Sequence, residues 1–274
     1  MTLCNLAQGF LFSTMDTQAV IDHIVEELDT YANNAGIKGF VIGVSGGIDS
    51  AVTSVLAART GKTVLCVEMP IHQAFEQVSR AAEHIEDLRA EFPNVNCEVV
   101  KLSDVFDQFV ATLPKIENED ALELALVNSR ARMRMTTLYY FAGALNFLVV
   151  GTGNKVEDFG IGFYTKYGDG GVDISPIADL MKSEVYEIGR ALGISQEILS
   201  AAPTDGLWGD DRNDEDQIGA TYDELEWAMM FSGDERELND RQHEVLAIFR
   251  KANAANQHKM VPIPVIEIPE ELRN

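Results

Sequence analysis

The chain is expected to fold as a single α/β domain, a doubly wound parallel sheet flanked by helices. Three observations predict it. Short apolar runs of strand length alternate with stretches of helical periodicity, the pattern of βαβ units with right-handed crossovers. Two of those runs, at 40–44 and 147–150, exit into glycine-containing sequence, and in open parallel sheets ligands gather at such carboxyl ends. Finally, hydrophobic residues make up 46% of the 274 residues, enough to bury a sizeable core.

The elements follow in order. Val20, Ile21, Ile24, Val25, Leu28 and Tyr31 recur at helical spacing, and the Asn-Asn-Ala-Gly stretch at 33–36 ends that helix. Residues 40–44 read as a buried strand, 51–59 as a helix and 63–67 as a second strand. Phe75, Val78, Ala81, Ala82, Ile85 and Leu88 mark another helix, and 95–100 a third strand. A long helical region spans about 120–145 and runs into a fourth strand at 147–150, followed by Gly151 and Gly153. Residues 161–174 read as an ordered, glycine-rich functional loop, and 182–192 as a helix closed by Gly193. Residues 203–217 are acidic and without helical periodicity, hence a loop. Residues 237–254 are helical, and the tail from Val261 carries three prolines and reads as extended.

The net charge of −23, from 44 acidic against 21 basic residues, argues against nucleic-acid and anionic-membrane partners, which need neutralisation by Lys or Arg. It also means that any anionic substrate requires a local concentration of cations. The first Lys or Arg is Lys38, which speaks against a secretory or transit segment, and no apolar run approaches the roughly 20 residues of a membrane span. Cys4, Cys66 and Cys97 form no CxxC pair and no zinc pattern. A cytoplasmic location is expected.

The chemistry concentrates in Ser45-Gly46-Gly47-Ile48-Asp49-Ser50, which follows the first strand and opens a helix. Glycines let the backbone approach a phosphate, the serines offer hydroxyl donors, and the helix amino terminus carries the positive end of its dipole. Asp49 adds a carboxylate where Mg²⁺ could bridge phosphate oxygens. The run is neither a Walker A sequence nor a dinucleotide fingerprint. The spacing of two in Arg130, Arg132 and Arg134 cannot keep all three on one helical face, so at least one must do something other than meet a ligand.

The Ser-Gly-Gly-x-Asp-Ser loop resembles that of the ATP pyrophosphatase superfamily, whose fold is adenine nucleotide α-hydrolase-like and Rossmann-like. The stretches Gly151-Thr152-Gly153-Asn154-Lys155, Tyr164-Thr165-Lys166-Tyr167-Gly168-Asp169-Gly170-Gly171-Val172-Asp173 and Ser175-Pro176-Ile177-Ala178-Asp179-Leu180-Met181-Lys182 are similar to the signature of NAD synthetases. Pro203-Thr204, Tyr222-Asp223-Glu224 and His258-Lys259 continue the likeness, collinear over about 21–264. The resemblance implies an ammonia-dependent ligase that adenylylates nicotinic acid adenine dinucleotide and releases AMP and pyrophosphate. It implies ATP contacts at Gly43, Ser45, Gly46, Gly47, Asp49, Ser50, Thr152, Lys182 and Thr204, and Mg²⁺ at Asp49 and Glu157. Arg132, Lys166, Asp169, Asp173, His258 and Lys259 would face the dinucleotide, with catalytic roles for Asp49, Lys182 and Asp173, and the assembly would be a homodimer. Asp173 is open to two readings, an ammonium or proton site and a loop-capping carboxylate. No glutaminase domain is visible, which makes free ammonia the expected nitrogen source.

Two features depart from the common pattern. One extra residue separates Glu157 from the Thr-Lys-Tyr-Gly-Asp signature, so either Glu157 or its neighbour Asp158 could hold metal; Glu157 is favoured. Glu68 and the run from Met69 to Gln73 stand where relatives present Arg and Gln to the nucleoside, and His72 reads equally as a surface residue. Competing functions are another ATP pyrophosphatase, such as a tRNA thiolation enzyme, and a non-catalytic nucleotide-binding module. The loop at 203–217 is expected to gain order when ATP, Mg²⁺ and the dinucleotide acid bind.

Overall fold

The computed structural model describes residues 15–73, 75–204 and 213–273. Helix α1 (Thr17–Asn34) starts at Asp16, whose carboxylate accepts from the Ala19 amide, and buries Ile21, Ile24, Leu28 and Ala32. Then come β1 (Gly39–Gly43), α2 (Ile48–Arg59), β2 (Thr63–Glu68), α3 (Phe75–Glu91) and β3 (Val95–Val99). Helices α4 (Ser103–Thr112) and α5 (Glu119–Leu145) lead into β4 (Phe147–Val149). The four strands form one parallel sheet in the order β3-β2-β1-β4. Beside β4, Asp173 N–H donates to Val149 O and Gly151 N–H to Ile174 O, so residues 173–174 extend the sheet by one short parallel bridge.

The strand order reverses at β1. The chain steps outward through β2 and β3, then returns to place β4 on the other side of β1. Such a reversal opens a crevice at the carboxyl ends of the two central strands. Alternation along the strands sorts the core into two layers. Phe40, Ile42, Val64, Cys66 and Val95 pack with α1 and α2, and with Val185 and Ile188 of α6 (Lys182–Ala191). Val41, Leu65, Val67 and Val149 pack with Phe106 of α4 and Ala142 of α5. Each fully buried Val, Leu, Ile or Phe among them contributes about 1.5–3 kcal/mol.

The remainder builds one wall of the crevice. A π-helix (Val156–Ile161) packs through Val156 and Ile161 on α9 (Tyr222–Met230) and α10 (Asp240–Met260). Short helices α7 (Gln196–Leu199) and α8 (Asp214–Ile218) precede them.

Several elements differ from the sequence reading. Helices α4, α7 and α9 and the π-helix have no counterpart in it. Helix α8 occupies the end of the segment read as a loop, because Asn213 accepts from the Asp216 amide and the acidic residues 214–216 complement the helix dipole. The central residues of that segment, 205–212, lie outside the described residues, and so does the expectation that they gain order. Helix α10 continues past 254 to Met260, because Asn253 and Asn256 donate to the carbonyls of Gly160 and Ile161 at 2.7 and 2.8 Å. Those tertiary bonds outweigh the weak helix propensity of the Asn and His residues there.

Between α2 and α3, Ser54 Oγ donates to Ala51 O and lies 2.8 Å from Nε2 of the buried His84. With the hydroxyl proton committed, Nε2 carries the hydrogen and the ring is neutral. Burial, only partly opposed by Asp87, lowers its pKa to about 4. A depressed base favours the folded state above the unfolded pKa near ~6.5, and that contribution is lost as pH falls toward the folded value. The stability advantage of wild type over His84→Gln should therefore shrink by about 2 kcal/mol between about pH 7.5 and about pH 5. Denaturant titrations at the two pH values measure it, and a gap independent of pH would contradict a neutral buried ring.

Candidate active site

The phosphate loop turns between β1 and α2. Gly46 adopts φ +82°, and a Cβ there would lie 2.7 Å from the Gln77 carbonyl, so both conformation and space demand glycine. The loop is cross-braced. Ser45 N–H and Gly47 N–H donate to the hydroxyls of Ser50 and Ser45, and Ser50 Oγ donates to Gly47 O at 3.0 Å. Gly47 caps α2 without a side chain, which leaves the helix amino terminus open toward the crevice.

Beside this loop sits a buried ionic centre. Lys182, the first residue of α6, is 3% exposed, and its ammonium lies 2.5 Å from Asp49 Oδ2 and 3.0 Å from Glu157 Oε1. Burial opposes its charge, but the two carboxylates outweigh burial and hold the ammonium pKa above the usual lysine value. Tyr222 completes the centre. Its ring lies 4.7 Å from the Lys182 nitrogen and its hydroxyl donates to Glu157 Oε1 at 2.6 Å, with Asp214 Oδ2 at 3.3 Å. Burial and the adjacent carboxylates Glu157 and Asp214 keep that phenol protonated.

The fully buried Asn154 joins the two halves. Its Nδ2 donates to Asp49 Oδ1 at 3.1 Å, while its Oδ1 accepts from the amides of Val156 and Glu157. It orients one carboxylate and starts the helix that carries the other. That helix is a π-helix, a form frequent at functional sites, and it presents Glu157 to Lys182. Asp158 does not pair with Lys182: its carboxyl packs on Gly153, where a Cβ would come within 2.3 Å of it, and burial together with Glu157, Asp169 and Asp49 pushes its pKa up to about 7.

A cleft of ≈ 400 Å³ joins these groups. Gly43, Ser45, Gly46, Gly47, Asp49, Ser50, Thr152, Glu157, Lys182 and Thr204 all line it, as do Asp169 and Lys259. Asp169 Oδ1 accepts from the Thr165 amide, and Lys259 donates to the carbonyls of Gly162 and Tyr164. Arg132, Lys166 and His258 form a strip outside the cleft. Arg132 donates to Lys166 O at 3.3 Å, and Lys166 Nζ donates to His258 O. From the arginine run it is Arg134 that lines the cleft, with Nε on Met69 O, whereas Arg130 stacks 4.6 Å over Phe106. Asp173 stands apart as well, accepting from Val149 N–H and from the Tyr139 hydroxyl. His72 pairs with Asp107 on the surface. Sequence reasoning gave no role to Tyr222 or Asn154. Both lie in stretches that carry the family likeness, and Asn154, just ahead of an acidic helix start, also carries a capping signal.

A parallel sheet with this glycine-rich loop at its switch point, and a lysine bridging two carboxylates beside it, has the arrangement of a Rossmann-like, nucleotide-binding α/β protein. Comparison with known proteins narrows the class. The family model described as NAD synthase matches residues 20–261, and the chain belongs to that family. The NH(3)-dependent NAD(+) synthetase of Methanosarcina acetivorans is 37% identical over 264 residues, 93% of this chain and 100% of that protein. Among solved structures, the NMN synthetase of Francisella tularensis superposes with a TM-score of 0.79 at 30% identity, covering 93% of this chain and 99% of that one. The NH3-dependent NAD synthetase of Campylobacter jejuni superposes with a TM-score of 0.71 at 25% identity, covering 92% and 100%.

Glu157→Gln should lower turnover at least about a hundredfold, because it removes the charge that faces Lys182, while Asp158→Asn should stay within about tenfold of wild type. Steady-state rates of the two variants decide between them, and the reverse order would make Asp158 the functional carboxylate.

Proposed function

We propose that this protein makes an amide from the nicotinate carboxylate of nicotinic acid adenine dinucleotide, using ATP and ammonia and releasing AMP and pyrophosphate. The observation that carries the reading is the Lys182 ammonium bracketed by Asp49 and Glu157 beside the phosphate loop. In the first step a carboxylate oxygen attacks the α-phosphorus and pyrophosphate leaves. Loop amides and the α2 amino terminus hold the phosphate chain, and Lys182 offsets charge that develops on the leaving group. In the second step ammonia attacks the acyl carbon and AMP departs with the former carboxylate oxygen. Asp169 and Lys259 orient the acceptor at the far end of the cleft. With two hydrogen bonds already accepted, Asp173 is assigned the capping role, holding the exit of β4 in place.

Two carboxylates on one wall suit Mg²⁺, which is commonly held by one or two carboxylates together with substrate phosphates. Asp49 and Glu157 would hold it, and it would neutralise phosphate charge. For assembly the reading is a homodimer. Val105 and Phe109 on α4 and Tyr140 on α5 are exposed apolar side chains that a second copy would cover.

The likeness to an NMN synthetase favours a second reading, in which the acceptor is the mononucleotide acid. A pyrophosphate-release assay with each acid, and with ammonium or glutamine as nitrogen source, tests both. We expect the dinucleotide acid and ammonium to support turnover and glutamine alone to support none. A larger kcat/KM for the mononucleotide acid would transfer the assignment to the second reading, and comparable rates from glutamine free of ammonia would reject ammonia dependence. Asp49→Asn should abolish pyrophosphate release while circular dichroism stays unchanged; near-normal release would remove Asp49 from the mechanism.

A further inference from the structure

A polyphosphate has to be held here inside a chain of net charge −23. Among the described residues, four cationic side chains line the cleft: Arg80, Arg134, Lys182 and Lys259. Lys182 is committed to Asp49 and Glu157, Lys259 to the carbonyls of Gly162 and Tyr164, and Arg134 to Met69 O. Arg80 differs. Its Nε donates to Gly46 O at 3.4 Å, and its two terminal nitrogens have no hydrogen bond or ion pair among the described residues.

The placement of Arg80 follows from the loop itself. At Gly46 a Cβ would meet Gln77 O at 2.7 Å, Ala81 N at 3.0 Å and Arg80 Cβ at 3.3 Å. The missing side chain lets α3 lie directly on the phosphate loop, and that contact brings Arg80 alongside it. The Gly46 carbonyl holds one edge of a half-buried guanidinium and leaves the two-nitrogen fork unused. Such a fork matches the paired oxygens of a phosphate, and a side chain anchored through Nε loses little further freedom when it binds one.

We infer that Arg80 is a phosphate-binding residue, whose terminal nitrogens take oxygens of the pyrophosphate portion of ATP. The inference rests on the reading that this cleft binds ATP, and it gives α3 a share in holding the phosphate chain beside the loop that joins β1 to α2.

Calorimetric titration of the full chain tests it, using ATP with Mg²⁺, inorganic pyrophosphate with Mg²⁺, and AMP, against wild type, Arg80→Gln and Arg80→Lys. Arg80→Gln should weaken ATP and pyrophosphate about ten- to a hundredfold, leave AMP within about twofold, and raise KM for ATP but not for the acceptor acid. Arg80→Lys should recover part of the loss, since it keeps the charge without the fork. Unchanged ATP affinity in Arg80→Gln would overturn the assignment. So would an equal loss for AMP, which would mark a packing role for α3. Wild-type protein that binds none of the three ligands would overturn the ATP reading itself, a result distinct from either.

Discussion

The structure depends on one buried cation. Lys182 is almost wholly removed from water, and an isolated ammonium in that position would carry a desolvation cost of several kcal/mol. Its first position in α6 adds to that cost, because the amino end of a helix is itself positive. Asp49 and Glu157 make the position tolerable, and they come from separate parts of the chain: the helix after β1 and the π-helix after β4. The three charges can meet only if β1 and β4 are neighbours with their carboxyl ends aligned. The strand order β3-β2-β1-β4 supplies that arrangement.

Much of the surrounding detail keeps these carboxylates in place. Asn154 reaches Asp49 while capping the helix that presents Glu157, and Tyr222 closes the far side with its hydroxyl on Glu157 and its ring against Lys182. The π-helix would otherwise expose carbonyls at 160 and 161; Asn253 and Asn256 of α10 satisfy them. The satellite core of Val156, Leu225 and Val245 fixes the same wall. A site held this firmly from behind spends little reorganisation when a phosphate chain arrives.

The layered sheet and the phosphate loop were legible in sequence because both are local patterns. Strand-length apolar runs report burial on both faces, and Ser-Gly-Gly-x-Asp-Ser is one continuous turn. The three-dimensional parts were less so. Arg130 and Arg134 are four residues apart and share a face of α5, with Arg132 on the other side. Which face meets the cleft depends on the rotation of α5 against the sheet, and a periodicity of 3.6 does not contain that rotation. Here Arg134 reaches the cleft and Arg132 holds the carbonyl of Lys166. Glu157 and Asp158 are adjacent and chemically alike, and which of them reaches Lys182 depends on the turn of the π-helix, which the sequence does not contain. Arg80 carried no motif; its position follows from how closely α3 approaches Gly46, a tertiary fact.

The proposed reaction turns on transfer of an adenylyl group to a carboxylate oxygen. Isotope transfer tests it most directly. The acceptor acid, labelled with ¹⁸O in its carboxylate, is turned over with ATP and ammonium, and the products are weighed by mass spectrometry. Attack on the α-phosphorus followed by amide formation requires one labelled oxygen in AMP and none in pyrophosphate. Label absent from AMP would contradict the account, whatever the overall rate of amide formation.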